Sequence, residues 1–353
     1  MNPDTGTNTR QQRILFFTVT GILTLLFFLG NIAVGSVMIP AKEIFRYLFT
    51  GEIDQQTWQT ILVKVRLPQA VSATLAGSGL AVGGLMMQTL FRNPLAGPSI
   101  LGISSGASLG VAFVMMFIGG TTLPFAFDLT GITHIATMGG AFIGSFLVLL
   151  LILFFARQVN DNAMLLIIGI MVGYISSSLV GVLKFYGLNE TVHSYALWGL
   201  GSFSNVTLQQ LNFFMPAVLI GIALSLLLMK SLNVLLLGEH YAKNLGLNVR
   251  MVRFILILCT GLVTAVITAF CGPIAFLGMA VPHIAKILLK TSNHHVLMPA
   301  VIILGPLLAL ICNMVASIPG YQGTLPINAV TSMIGAPIVI SVILQRRKLK
   351  LFT

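Results

Sequence analysis

Charged residues punctuate long apolar runs in this chain, and those runs set the predicted elements. The first run is Ile14 to Val34. It is too long for the apolar core of a signal peptide and no small-residue cleavage site follows it, so it predicts a spanning helix. Residues 35–63 carry Pro40, Lys42, Glu43, Arg46, Glu52 and Asp54, which predicts a water-exposed loop. Leu67 to Phe91 is uncharged and ends at Arg92-Asn93-Pro94, where Pro94 disfavours helix at Asn93. Further runs cover Ile100 to about Ile118, Ile135 to Ala156, Leu165 to Leu183, Leu208 to Met229 and Phe254 to Phe270. A shorter run starts near Pro273, and the last two are Leu297 to Ala316 and Ile327 to Leu344. A spanning helix needs about 20 apolar residues. The pattern therefore predicts an all-α polytopic membrane protein of about ten transmembrane helices. Between them, 184–206 reads as an outer loop with a short helix and 230–253 as a polar inner segment.

Composition sharpens that class. Of 353 residues, 56% are hydrophobic and 8% charged, where a soluble domain carries about a quarter charged. A soluble enzyme, a disordered chain and a secreted disulfide scaffold are excluded. Cys259, Cys271 and Cys312 lie in apolar runs and read as small buried side chains. The net charge of +11 gives orientation, not affinity for nucleic acid. An even number of spans puts both ends on one side. With that side inside, 14 of the 19 basic residues fall in inner segments, and only Asp4, Asp161 and Glu239 of the eight acids join them. The whole excess is then inside, as the positive-inside rule requires, and both termini are predicted cytoplasmic.

Several chemistries are missing. No Asp or Glu lies within a predicted span, which argues against an ion-coupled secondary transporter of a large organic solute, the alternative class. No charged ring or repeated filter sequence suggests a channel. The only adjacent histidines are His294 and His295, in a cytoplasmic loop, so no metal site, cofactor or catalytic cluster is expected. No G-x-x-x-x-G-K-[ST] phosphate loop occurs, so a pump built on this chain takes its ATP hydrolysis from another subunit. Segment 230–253 is a candidate connector: Gly238 and Gly246 predict two short helices with a turn between them. Gly79 and Gly83, Gly102, Gly106 and Gly110, and Gly140 and Gly144 recur four apart, spacing that lets helix backbones approach in a membrane.

The chain resembles the FecCD-type permeases of ABC importers for iron–siderophore complexes, haem and cobalamin. The resemblance is carried by Arg66-Leu67-Pro68, by Gln88 through Ala96 (QTLFRNPLA) and by Leu101 through Ala107 (LGISSGA). Leu236-Leu237-Gly238-Glu239 with Leu245-Gly246, Gly272 through Gly278 (GPIAFLG), Val281-Pro282-His283, Leu325-Pro326 and Gly335-Ala336-Pro337 complete it. The motifs stand in family order over about residues 14–347. Gly97 through Gly102 (GPSILG) and Gly272 through Gly278 also resemble one another, as halves of a duplicated transporter do.

The resemblance implies a single transmembrane permease domain over 1–353 in a bacterial inner membrane. A second permease subunit, as a homodimer, two cytoplasmic ATPase subunits and an extracytoplasmic substrate-binding protein are the implied partners. It assigns coupling to the ATPase to Gly238, Glu239, Leu245 and Gly246. It assigns the cytoplasmic gate to Asn93, Leu95 and Asn162, where Ser or Thr is more usual than Asn162. Binding-protein docking falls on Lys64 and Arg66. Two departures bear on docking: the second base of Arg-Leu-Pro-Arg is Gln69, and an Ala-Asp-x-x-Ala-Arg pattern reads Cys312-Asn313-Met314-Val315-Ala316-Ser317.

Overall fold

The structure is a computed structural model. It describes residues 4–35, 37, 39, 40, 42, 43, 46, 55–117, 130–159, 161–317 and 325–350. Fourteen helices are described: α1 Asp4–Ala33, α2 Gln56–Ile61, α3 Leu67–Leu90, α4 Ile103–Phe117, α5 Thr130–Gln158, α6 Asn162–Tyr186 and α7 Asn189–Gly199 come first. Then follow α8 Leu208–Leu227, α9 Met229–Leu236, α10 Glu239–Asn244, α11 Val249–Cys271, α12 Leu277–Leu289, α13 His294–Ala316 and α14 Ile327–Lys350. Seven helical segments among the described residues are long and apolar enough to cross a membrane, and three shorter apolar ones lie at Ile103–Phe117, Leu277–Leu289 and Ile327–Ser341. The protein is an all-helical, multi-pass membrane protein.

Polar side chains start several of these helices where they meet water. Asp161 accepts from the Ala163 N–H at 2.8 Å to begin α6, and Asn248 accepts from Met251 at 3.1 Å to begin α11. Asn293 does the same for α13 through His295 at 2.9 Å. Each cap satisfies a donor that the helix leaves open.

The centre of the molecule is α3, whose most apolar window is 89% buried, against 11% for α1. Small residues explain the difference. Gly77 packs on Gly305 of α13, Gly84 on Gly278 of α12, and Gly79 on Val263 and Ile267 of α11. In lipid, helices are held by such close backbone approach, because apolar side chains gain nothing by leaving lipid tails. The glycine ladders of α4 and α5 also interlock: a Cβ at Gly110 would fall on the Gly140 carbonyl, and one at Gly144 on that of Gly106. The glycine spacing is therefore helix packing.

Two boundaries differ from the sequence reading. The outer loop expected over 35–63 gives way to helix at Gln56, and a π-helical turn, Leu62–Arg66, joins α2 to α3 in one rod of 35 residues, Gln56–Leu90. Leu62 is buried, and Trp58, Ile61 and Val63 pack on the same outer cluster, so packing extends the helix past the charges that marked its end. Second, α4 and α12 are short because non-helical stretches precede both: residues 91–102, with a 3-10 turn at Pro98–Leu101, and residues 272–276. These are the two mutually similar segments, and they meet, since a Cβ on Gly278 would lie 2.6 Å from Pro98 Cδ. Irregular backbone at membrane depth is tolerated where protein surrounds it.

Candidate coupling and gating site

The predicted gate residues lie at helix ends. Beyond Leu90 the chain leaves α3 through Arg92, whose φ of +47° is in the left-handed region. Asn93 then closes a tight turn: its Oδ1 accepts from the Leu95 N–H at 2.9 Å, and its carbonyl accepts from Ala96 at 3.0 Å. Leu95 projects from that turn, exposed.

Asn162 is the first residue of α6. Its amide nitrogen donates to the Leu90 carbonyl at 2.9 Å and to Glu239 Oε1 at 2.6 Å. One side chain thus ties the end of α3, the start of α6 and the start of α10. Ser or Thr at this position has one hydroxyl proton and could satisfy one of those acceptors only.

Glu239 opens α10 directly after Gly238, whose φ of +114° no L side chain adopts comfortably. Its carboxylate also meets Arg253 of α11 at 3.3 Å. The Arg253 side chain is 3% exposed and that of Glu239 30%. Arg253 additionally donates to Val159 O at 2.9 Å, at the end of α5. Arg92 reaches the loop from the other side, donating to Leu235 O at 3.3 Å; a Cβ on Gly238 would come within 3.0 Å of its guanidinium.

The α9–α10 loop is therefore tied to α3, α6 and α11, and its outer face is bare. Leu237, Tyr241 and Leu245 are all more than 60% exposed, while Ala242 beneath them is fully buried. Gly246, with φ +82°, turns the chain after Leu245. Large apolar side chains held outward on a rigid base mark a contact surface for another protein.

Sequence reasoning missed Arg92 and Arg253 as members of this cluster: it used Arg92 as a helix end and counted both among the inner basic charges. Lys64 is exposed. Arg66 is not: it is 5% exposed, and its guanidinium donates to Ile32 O at 2.9 Å, Ala33 O at 2.7 Å and Val37 O. It sits in the π-helical turn, which points it inward to cap the C-terminal carbonyls of α1. That corrects its expected role as an outward docking residue.

The family departures also come together. Gln69 Nε2 donates to Asn313 Oδ1 at 3.0 Å, and Asn313 Nδ2 donates to Asn31 Oδ1 at 2.7 Å. Gln69, Asn313 and Ser317 line one outer cavity of about 150 Å³. Two of the three neutral replacements, Gln69 and Asn313, are thus a bonded pair joining α3 to α13.

A multi-pass helical domain with a short two-helix loop braced to its long apolar helices has the build of a transporter's permease subunit. The chain belongs to the FecCD transport family, whose model matches residues 22–345. It is similar to the Hemin transport system permease protein HmuU of Yersinia pestis, 33% identical over 92% of this chain and 95% of that protein. The Vitamin B12 import system permease protein BtuC of Klebsiella pneumoniae subsp. pneumoniae is 32% identical over 96% of each chain. Among solved structures, a metal-chelate type ABC transporter in an inward-facing conformation superposes with a TM-score of 0.78. It is 27% identical and covers 94% of this chain and 99% of that one. As an ABC permease, the chain works in complex with ATPase and substrate-binding partners.

Proposed function

We propose that the chain forms half of the translocation pathway of an importer that carries an iron chelate (a siderophore complex or haem) or cobalamin across a bacterial inner membrane into the cytoplasm. A second copy supplies the other half. Two separate cytoplasmic subunits hydrolyse ATP, and an extracytoplasmic binding protein delivers the cargo. The chain crosses ten times, with both termini cytoplasmic.

In this reading the exposed face of Leu237, Tyr241 and Leu245 seats on the ATPase, and Gly238, Glu239 and Gly246 shape that surface. The carrying observation is the direct bond from Glu239, in the coupling loop, to Asn162, at the gate. Movement of α10 pulls on the start of α6 and, through the Leu90 carbonyl, on the turn that holds Asn93 and Leu95. Lys64 meets the binding protein outside. Nothing in this cycle needs a cofactor or metal held by the chain.

The test is uptake into vesicles that contain the complete complex, with ATP on the cytoplasmic face and with or without a proton gradient. Labelled ferric siderophore, haem and cobalamin are offered in turn by the binding protein. ATP-dependent uptake of one of them, indifferent to the gradient, is expected. Gradient-driven uptake without ATP would overturn the reading.

A further inference from the structure

Beside the coupling loop, sharing Arg92 with it, lies a cavity of about 310 Å³. Gln88, Thr89, Arg92, Lys286, Ser292 and His294 line it. Arg92 and Lys286 are positively charged, and no carboxylate is among the lining residues. The cavity sits where α3 and α12 end and α13 begins, at the end of the bundle that carries the basic excess.

Hydrogen bonds hold its walls in place. Lys286 Nζ donates to Gln88 Oε1 at 3.0 Å. Gln88 Nε2 donates to Met279 O at 3.1 Å, which fixes the amide with its oxygen toward the lysine. Asn233 Oδ1 accepts from the His294 backbone N–H at 2.8 Å and lies 2.9 Å from Nδ1. An amide oxygen only accepts, so Nδ1 bears a proton, and Thr89 Oγ1 stands 2.8 Å from the other ring nitrogen. Arg92 uses a long bond to Leu235 O, one of the five N–H donors a guanidinium has. Ser292 is exposed at the mouth.

We propose that this cavity binds a phosphate group, a site separate from cargo transport and from ATP hydrolysis. A fork of guanidinium donors and an ammonium facing one space match a tetrahedral oxyanion. The Ser292 hydroxyl at the mouth adds a neutral donor without adding charge; the Thr89 hydroxyl is held in the wall by the Leu85 carbonyl at 2.9 Å. Basic pockets between helices at the cytoplasmic surface are where phospholipid headgroups are held. The same chemistry would accept free phosphate, and the two sources are separable.

The experiment uses the full-length chain purified in a neutral detergent. The thermal unfolding midpoint is followed against phosphatidylglycerol and, separately, inorganic phosphate, with phosphatidylcholine and chloride as controls. A saturable rise with phosphatidylglycerol alone identifies a lipid headgroup; an equal rise with phosphate identifies a small anion. The half-saturating concentration should increase roughly tenfold or more in Lys286→Gln, the loss of one charge-assisted bond. Lys286→Arg should keep the affinity. Ser292→Glu, which leaves the wall bonds intact, should weaken binding as Lys286→Gln does. No rise beyond the controls, or a rise that both Lys286→Gln and Ser292→Glu retain unchanged, would overturn the site.

Discussion

Asn162 Nδ2 lies 2.6 Å from Glu239 Oε1, although 77 residues separate the two in sequence. The same amide holds the last carbonyl of α3, and the same carboxylate meets the buried Arg253. The α9–α10 loop, the end of α3 and the start of α6 are thus one hydrogen-bonded unit.

Glu239→Lys should abolish ATP-driven uptake, because it sets a second cation against Arg253 and removes the acceptor for Asn162. Losing a hydrogen-bonded carboxylate beside a buried guanidinium should lower stability by about 1–3 kcal/mol. Uptake and thermal unfolding of the reconstituted complex measure both effects. Normal uptake with normal ATPase stimulation would remove Glu239 from the coupling path.

Asn162→Ser keeps one donor and should reduce transport while preserving expression, whereas Asn162→Ala removes both bonds and should raise passive leak of cargo through the resting complex. A leak assay without ATP, run beside the uptake assay, separates the two variants. Equal behaviour of Ser and Ala would mean that the contacts do not act in the gate.

Arg66 and Lys64 lie two residues apart and should respond oppositely. Arg66→Ala leaves buried carbonyls of α1 without donors, so stability should fall by roughly 2–4 kcal/mol. The affinity of correctly folded material for the binding protein should hold. Lys64→Glu should change stability by less than about 0.5 kcal/mol and weaken binding-protein association most at low salt, where screening is least. Titrations across a salt series, paired with melting curves, decide the assignment.

Gln69→Arg alone places a charge beside a part-buried neutral amide and should destabilise the fold. Adding Asn313→Asp should recover part of the loss, with a coupling energy of about 0.5–3 kcal/mol. A double-mutant cycle of unfolding free energies gives that number directly; additive effects would show that the bonded pair is incidental.

Much of this was legible in the chain. Apolar runs located the long helices, and Gly238 and Gly246 marked the ends of the short α10. What was not legible is the partner of each polar group. Arg66 reads as an outer charge because composition shows no difference between a guanidinium facing water and one capping a neighbouring helix. The π-helical turn that points it inward has no sequence signature here. Arg253 reads as one more inner cation for the same reason, since its carboxylate arrives from a loop folded back on it. The start of helix at Gln56 was hidden because Trp58 and Leu62 find their cover in distant elements.

The rod from Gln56 to Leu90 has 35 residues, about 50 Å at 1.5 Å per residue, against a hydrocarbon core of about 30 Å. It is a strut longer than the membrane is thick. Lys64 lies in the π-helical turn near one end, and the other end is the carbonyl that Asn162 grips. A strut packed along most of its length transmits tilt better than it absorbs it. The π-helical turn at Leu62–Arg66 lies near one end, where Arg66 ties the rod to the end of α1. The permease thereby carries a long lever, gripped by neighbouring helices along most of its length.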